Sequence, residues 1–241
     1  MYRSIVIIGI LGTAAAVAGH YLLYGPKHPE LHGEAPDIRR FNLWERLVHI
    51  VTMASFVILA VTGLAAALAG HRLTGWLLLG HWVAAPVFAI GLAALTLTWA
   101  EFGRFEHHDA LWARHMGGYL GRPDDLPAGM FNAGQKAFFW VVALLGVVTV
   151  CSGLARMAPV FGPGAQAIVL IVHRYAALLL AMSIIVHLYL GTLANPGTFR
   201  AMLRGMVGRA WVLHHHPVWG RRLGVDVQDP SPDTTKNQGK E

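Results

Sequence analysis

Five apolar runs alternate with polar connections along the chain. They cover approximately residues 5–23, 47–69, 76–100, 137–155 and 165–194. A helix needs roughly 20 predominantly apolar residues to cross the hydrocarbon core of a bilayer, and every run reaches or approaches that length. The pattern predicts an all-α membrane protein: a four-helix transmembrane bundle plus one extra N-terminal transmembrane helix.

The composition strengthens the membrane assignment and removes several functions. Of 241 residues, 55% are hydrophobic and 13% are charged, whereas soluble domains carry about 25% charged residues. Cys151 is the only cysteine. The chain therefore offers no ligand set for an iron–sulfur cluster or a cysteine-based zinc site, and no disulfide framework.

The basic residues lie mainly in alternate connections. The segments 24–46 and 101–136, together with the tail from residue 195, hold 15 Lys and Arg, while the other two connections hold 2. The positive-inside rule places the basic side in the cytoplasm, so we expect a bacterial inner-membrane protein with its N-terminus outside and its C-terminus cytoplasmic. Orientation and anionic lipid account for the net charge of +6 without a nucleic-acid partner.

The first apolar run resembles a signal peptide. Arg3, the apolar stretch and Ala16-Val17-Ala18 imitate a charged start and a cleavage site. Cleavage after Ala18 would reverse the orientation of everything downstream and contradict the charge distribution. We therefore expect an uncleaved extra helix.

Two histidines lie fourteen residues apart in the last apolar run, at His173 and His187. Fourteen residues of helix rise about 21 Å and turn through about 40° less than four full turns. The two imidazoles therefore point to nearly the same side at different membrane depths.

Each depth holds one further histidine on another helix. His49 matches His187 near the basic side, and His81 matches His173 near the opposite side. A lone histidine in an apolar run is usually a hydrogen-bonded core residue, but four in two depth-matched pairs favour a function. Two bis-histidine b-type haems fit this pattern, with an inner pair His49/His187 and an outer pair His81/His173. Such haems carry electrons and have no open site for oxygen chemistry.

Other residues admit two interpretations. Arg174 either pairs with a haem propionate or extends to the membrane surface. Small residues in the helices either leave room for a flat macrocycle or permit close helix packing: Gly63, Gly80, Gly91, Gly146 and Gly153. Six further histidines lie in polar segments, where ordinary surface loops are a better interpretation than a zinc site: His107, His108, His115, His214, His215 and His216.

Three stretches resemble one known family. They are "FNAGQKAFFW" (Phe131–Trp140), "IVHRYAALLLAMSIIVHLYLG" with its fourteen-residue histidine spacing, and "PGTFRAMLRGMVGRAWVLHHHPVW" (Pro196–Trp219). Together they resemble the cytochrome b556, or gamma, subunit of membrane-bound formate dehydrogenases. That subunit belongs to the wider dihaem cytochrome b family shared with hydrogenase cytochrome b subunits. The resemblance covers roughly residues 40–222.

The resemblance implies a four-helix subunit with two b haems and the same histidine pairings. It implies an iron–sulfur (beta) partner, a molybdenum- or tungsten-pterin catalytic partner, and menaquinone or ubiquinone as electron acceptor. The quinone pocket would involve Asn132, Gly134 and Gln135, close to His187. Asn132 and Gln135 also form a plausible capping box, and both interpretations can hold together.

We expect three regions: residues 1–40 as the extra helix and a cytoplasmic linker, 41–222 as the dihaem domain with a basic tail, and 223–241 as a disordered tail. The predicted function is electron transfer from the iron–sulfur subunit to quinone, contributing to proton motive force within a larger oligomeric complex. The chain itself would not oxidise formate. Alternatives are the cytochrome b subunit of a hydrogenase or of a sulfur-compound oxidoreductase and, from another class, a histidine-relay ion transporter.

Overall fold

Five long helices dominate the fold. The computed structural model describes residues 1–27, 35–121, 126–158 and 162–225. The long helices are α1 (Tyr2–Tyr24), α2 (Leu43–Ala69), α3 (Gly75–Trp99), α5 (Ala133–Met157) and α6 (Pro163–Gly191). All five are long and apolar enough to cross a membrane, which confirms the predicted all-α membrane class.

Two helices begin with the same capping arrangement. At α2, Asn42 Oδ1 accepts from the Glu45 amide at 2.9 Å, and Glu45 Oε2 accepts from the Asn42 amide at 2.7 Å. At α5, Asn132 and Gln135 exchange the equivalent hydrogen bonds at 2.9 and 3.0 Å. These reciprocal bonds satisfy amides that lack partners inside the helix, and they fix where each helix starts. Both starts lie at the same end of the bundle.

The last long helix ends before the predicted residue 194. It stops at Gly191, and the Ala194 amide turns back to the Tyr189 carbonyl at 3.0 Å. Asn195 Nδ2 donates to the Leu190 carbonyl at 2.6 Å. Pro196 follows, and the residue before a proline is disfavoured in helical geometry. The apolar run continues through this turn, which is why hydrophobicity alone predicts a longer helix than the structure has.

Two glycines permit close helix packing. A Cβ on Gly91 of α3 would lie 2.2 Å from Thr52 Oγ1 of α2, and one on Gly146 of α5 would lie 2.4 Å from a Leu92 methyl of α3. At Gly91 and Gly146 the structure therefore supports close helix packing, not room for a flat macrocycle.

The outer surface of the long helices is apolar. Trp76 is 86% exposed and Leu97 is 80% exposed, and many other large apolar side chains share this surface. Exposing such a surface to water is energetically unfavourable, whereas contact with lipid hydrocarbon is not.

A folded cap closes the end of the bundle at which α2 and α5 begin. We call this the capped end, and the other the open end. Beyond α6 lie α7 (Thr198–Arg204), β2 (Met206–Val207), α8 (Arg209–His215) and α9 (Pro217–Arg222), while α4 (Asp109–Arg114) and β1 (Ile38–Arg39) precede α5 and α2. Strands β1 and β2 pair antiparallel, with Ile38 opposite Val207.

The cap has its own aromatic core. The buried residues of this core come from the α2 entry, the end of α3, the α5 entry and the C-terminal helices: Phe41, Trp99, Phe131, Phe139, Trp211 and Val212. The region interpreted as a basic tail is thus packed structure through residue 225. The tail predicted to be disordered begins at residue 223, but residues 223–225 are described and Val225 is buried. Residues 28–34 of the linker and residues 226–241 lie outside the described residues.

Candidate functional site

The four intramembrane histidines meet in two facing pairs. The ring centroids of His49 and His187 are 6.3 Å apart near the capped end. Those of His81 and His173 are 6.5 Å apart near the open end. The pairs join α2 to α6 and α3 to α6, so α6 contributes one histidine at each level.

The spacing within each pair fits a metal held between two rings. Metal–imidazole bonds are about 2 Å long, and the ligating nitrogen lies about 1 Å from its ring centroid, so a bridged pair has centroids about 6 Å apart. Directly hydrogen-bonded or stacked rings would be closer. Both centroid separations are therefore compatible with a metal ion held between the two rings.

Hydrogen bonds orient the histidines of the open-end pair. His173 Nδ1 donates to the Thr149 carbonyl at 3.0 Å, with the Ser152 hydroxyl oxygen at 3.1 Å. His81 Nδ1 lies 2.7 Å from Thr62 Oγ1, whose proton goes to the Ile58 carbonyl. Proton-bearing Nδ1 atoms leave the Nε2 lone pairs available, which is the usual arrangement of metal-binding histidines.

Aromatic rings orient the capped-end pair. Phe138 stacks on His187, with centroids 4.4 Å apart and planes 3° from parallel. Trp99 lies 6.1 Å from the His49 ring, and Glu45 accepts from the Trp99 indole nitrogen at 2.8 Å. The two levels thus differ in how their histidines are held.

Small residues adjoin the open-end pair. A Cβ on Gly153 would lie 3.4 Å from the His173 ring, and one on Gly63 would lie 4.0 Å from the His81 ring. Arg174 is exposed and lies over the Tyr2 ring at 5.1 Å. The structure therefore gives Arg174 a partner on α1.

The predicted quinone residues lie at the start of α5. The side-chain oxygens of Asn132 and Gln135 both accept backbone amides, as a capping box requires. Their side-chain NH₂ groups remain as potential donors. Gly134 lies beneath Trp112, since a Cβ there would be 2.6 Å from the indole.

A buried ionic cluster adjoins these residues, and sequence reasoning missed it. Lys136 is 1% exposed, and its Nζ donates to Asp109 Oδ2 at 2.7 Å. Glu106 Oε1 lies 3.7 Å from the same Nζ. A hydrogen bond from Arg222 lowers the pKa of the Glu106 carboxyl, and the positive charges of Arg222 and Lys136 act in the same direction. The only sequence signal was a lysine next to an apolar run.

Two of the unassigned histidines are buried, and the expectation of surface loops is wrong for them. His216 is 1% exposed, and its Nδ1 donates to the Gly129 carbonyl at 2.7 Å. Burial, aided by Arg40 and His215, lowers the pKa of His216 well below its usual value. His108 is 7% exposed. Within the described ranges, no three His, Cys, Asp or Glu side chains are grouped to hold a metal ion.

Arg40 is another buried charge of the cap. Its guanidinium donates to the Met130 carbonyl at 2.9 Å and lies 4.9 Å from the Trp211 ring centroid. Burial lowers the pKa of Arg40 to about 9. The side chain therefore ties the α2 entry to both the α5 entry and α8.

A multi-pass helical bundle with facing histidine pairs is typical of one class of protein, the membrane cytochromes b. Comparison with known sequences agrees: a sequence model described as prokaryotic cytochrome b561 matches residues 40–205. The chain belongs to this family. Membership implies haem b, and the chain is a membrane cytochrome b electron-transfer subunit.

Curated relatives are formate dehydrogenase subunits. The chain is 30% identical over 202 residues to the formate dehydrogenase cytochrome b556(fdo) subunit of Escherichia coli K12, covering 77% of this chain and 93% of the relative. It is 29% identical over 145 residues to the nitrate-inducible cytochrome b556(Fdn) subunit of the same organism, covering 55% and 66%. A Haemophilus influenzae formate dehydrogenase cytochrome b556 subunit is 29% identical over 122 residues, covering 48% and 51%. These findings confirm the family resemblance.

Proposed function

We propose that the chain binds two b haems, at His49/His187 and His81/His173, and carries electrons across the membrane to quinone. The two facing pairs, each with its ring centroids about 6 Å apart, carry this proposal. Haem b supplies a reversible one-electron redox centre at each pair when bound. With both histidines of a pair holding the iron, the haem would serve electron transfer and would not bind oxygen.

In this proposal the protein holds one histidine of each pair on a single rigid helix, α6. His173 and His187 are separated by about 21 Å along α6. Thr149 and Thr62 fix the imidazole tautomers at the open end, while Phe138 fixes the His187 ring plane at the capped end. Electrons would enter at the His81/His173 level and leave at the His49/His187 level.

The start of α5 forms the quinone pocket in this proposal. Reduction of a quinone to a quinol takes two electrons and two protons, so its carbonyl oxygens need hydrogen-bond donors and a route to water. The side-chain NH₂ groups of Asn132 and Gln135 are such donors. Phe138, one turn beyond Gln135, stacks on His187 and connects the pocket to the capped-end level.

The partners follow from the relatives. Those proteins are named as formate dehydrogenase subunits, and this chain offers a single cysteine. Electrons would therefore come from an iron–sulfur subunit served by a molybdenum- or tungsten-pterin subunit that oxidises formate. The charge distribution supports a cytoplasmic capped end. Proton uptake there and electron entry outside would contribute to membrane potential.

Removing the hydroxyl of Thr62 should weaken haem binding at the open-end level. Thr62→Val preserves the shape but leaves His81 Nδ1 without its partner, and loss of such a support typically lowers metal affinity about 10- to 100-fold. Ser152→Ala is the matched control, because His173 Nδ1 retains the Thr149 carbonyl. The measurement is the amount of haem that each of the two variants retains during detergent washing. Equal retention in the Thr62 and Ser152 variants would contradict the assigned role of Thr62.

Gln135→Glu should impair quinone binding without disturbing the fold. Glutamate keeps the oxygen that caps the Asn132 amide, as Glu45 does at α2, but it loses the NH₂ donor. Loss of one hydrogen bond of about 1.4 kcal/mol corresponds to roughly tenfold weaker binding. The measurement is the half-saturating menadiol concentration for haem reduction, since menadiol releases two electrons and two protons and needs no partner subunit. Asp37→Asn, at an exposed ion pair of the cap, is the control. A wild-type menadiol response in Gln135→Glu would exclude this pocket.

A further inference from the structure

Helix α1 lies outside the residues matched by the family, yet its C-terminal end enters the cap. His20 Nε2 lies 2.8 Å from the Tyr119 carbonyl, and Nδ1 lies 2.5 Å from the Tyr189 hydroxyl. A carbonyl only accepts, so Nε2 carries the proton and the Tyr189 hydroxyl donates to Nδ1. His20 thus joins α6 to the connection between α3 and α5.

Lys27, just beyond α1, contacts the same connection. Its Nζ donates to the Gly117 carbonyl at 2.8 Å and lies 4.9 Å from the Tyr119 ring centroid. Its backbone amide donates to the Ala194 carbonyl at 2.8 Å. Desolvation raises the pKa of the half-buried Tyr119 phenol to about 12, and Tyr119 hydrogen-bonds Asn195.

The backbone held by these contacts is strained. Met116, Gly117 and Gly118 have φ values of +53°, +62° and +74° in succession. A methionine rarely adopts the left-handed region, and such strain persists only where surrounding contacts impose it. The carbonyl of Gly117 and that of Tyr119 are the groups that Lys27 and His20 hold.

The strained turn positions Trp112. A Cβ on Gly117 would lie 2.3 Å from the indole, and a Cβ on Gly134 would lie 2.6 Å from it. The indole therefore packs closely against both the turn and the first turn of α5. Trp112 is also in edge contact with Tyr119, at 6.4 Å between ring centroids.

We propose that His20 and Lys27 are positioning residues for the quinone pocket. By holding the turn at residues 116–119, they fix the Trp112 indole against Gly134, beside the Asn132 and Gln135 donors. The N-terminal helix thereby completes one wall of a pocket whose other residues lie within the family-matched region. This inference rests on the proposed quinone function of the α5 entry.

The test uses full-length chain in lipid nanodiscs with both haems bound. His20→Leu removes both hydrogen bonds, whereas His20→Gln can restore them with its amide oxygen and nitrogen. Lys27→Met removes the second contact, and His71→Leu is the control at an exposed histidine of the open end. Two readouts are compared: hydrogen exchange of the amides in residues 112–121, and the half-saturating menadiol concentration for haem reduction.

For His20→Leu we expect exchange in residues 112–121 to accelerate on the order of tenfold, since two hydrogen bonds are lost. The half-saturating menadiol concentration should rise several-fold at unchanged haem content. Lys27→Met should change both readouts in the same direction, and His20→Gln and His71→Leu should match wild type. If His20→Leu does not yield folded protein, Lys27→Met against His20→Gln gives the same comparison.

Unchanged exchange in both His20→Leu and Lys27→Met would overturn the inference. So would faster exchange with an unchanged menadiol response, provided that Gln135→Glu raises the menadiol requirement. If Gln135→Glu leaves that requirement unchanged as well, the proposed pocket itself is wrong, and the inference falls with it. The exchange data then still report whether α1 holds the turn.

Discussion

Replacing His187 with alanine is expected to remove one of the two proposed haems and to leave the other bound. The imidazole faces His49 at 6.3 Å between centroids, so the variant loses one of the two proposed haem ligands at the capped-end level alone. The open-end pair keeps its own hydrogen bonds to Thr149 and Thr62. Haem content measured as the pyridine haemochrome should fall from about two per chain to about one.

The pairing makes this prediction specific. His49→Ala should give the same remaining haem spectrum as His187→Ala, while His81→Ala and His173→Ala should share the complementary spectrum. His71→Ala should retain both haems, since His71 is exposed at the open end. Different remaining spectra for His49→Ala and His187→Ala would show that the two histidines do not share one haem.

The spanning helices and the histidine pairs were predictable from sequence because both depend on local periodicity. Apolar length sets a span, and the fourteen-residue spacing of His173 and His187 sets their direction and depth. The structure places His49 and His81 opposite them, as the depth argument required. The capping signal of Asn132 is likewise local, and the capping box predicted there is present. Asn42 and Glu45 form the same arrangement at α2.

The cap was not predictable in the same way, because long-range contacts build it. Strand β1 pairs with β2 across about 170 residues of sequence, at Ile38 and Val207. Each strand has two residues, too few to show an alternating pattern. His216 likewise appears solvated in a histidine-rich basic stretch, and only the fold reveals its burial against Gly129.

The hydroxyls that contact the open-end histidines were only partly predictable from the sequence. Thr62 and Ser152 are common polar residues of membrane helices, where their hydroxyls usually bond to the preceding turn of their own helix. Both do so here, to Ile58 and Val148. Their second contacts with His81 and His173 depend on how the helices pack, which the sequence pattern does not specify.

Loss of the buried Lys136–Asp109 pair should produce the largest stability effect in the cap. Asp109→Asn leaves the Lys136 charge buried, with only the more distant Glu106 carboxylate to offset it. Removing one partner of a buried ion pair typically costs about 3–5 kcal/mol. We expect a markedly lower midpoint for thermal unfolding of the detergent-solubilised chain, measured from its helical circular dichroism.

An exposed pair of the same length provides the control. Arg209 Nε and Asp37 Oδ2 are also 2.7 Å apart, but their side chains are 49% and 45% exposed, against 2% and 4% for Lys136 and Asp109. Exposed pairs contribute about 0–1 kcal/mol, so Asp37→Asn should change the midpoint little. Equal effects in the two Asp→Asn variants would contradict the argument from burial.

The double variant Asp109→Leu with Lys136→Met separates charge burial from packing. It leaves no uncompensated charge, and apolar replacement of a buried pair is often neutral or stabilising. Its unfolding midpoint should therefore lie above that of Asp109→Asn, even though two residues have changed. The same protein should still respond to menadiol if Lys136 serves only to anchor the α5 entry. A restored midpoint with a lost menadiol response would instead assign the buried lysine a direct role at the pocket.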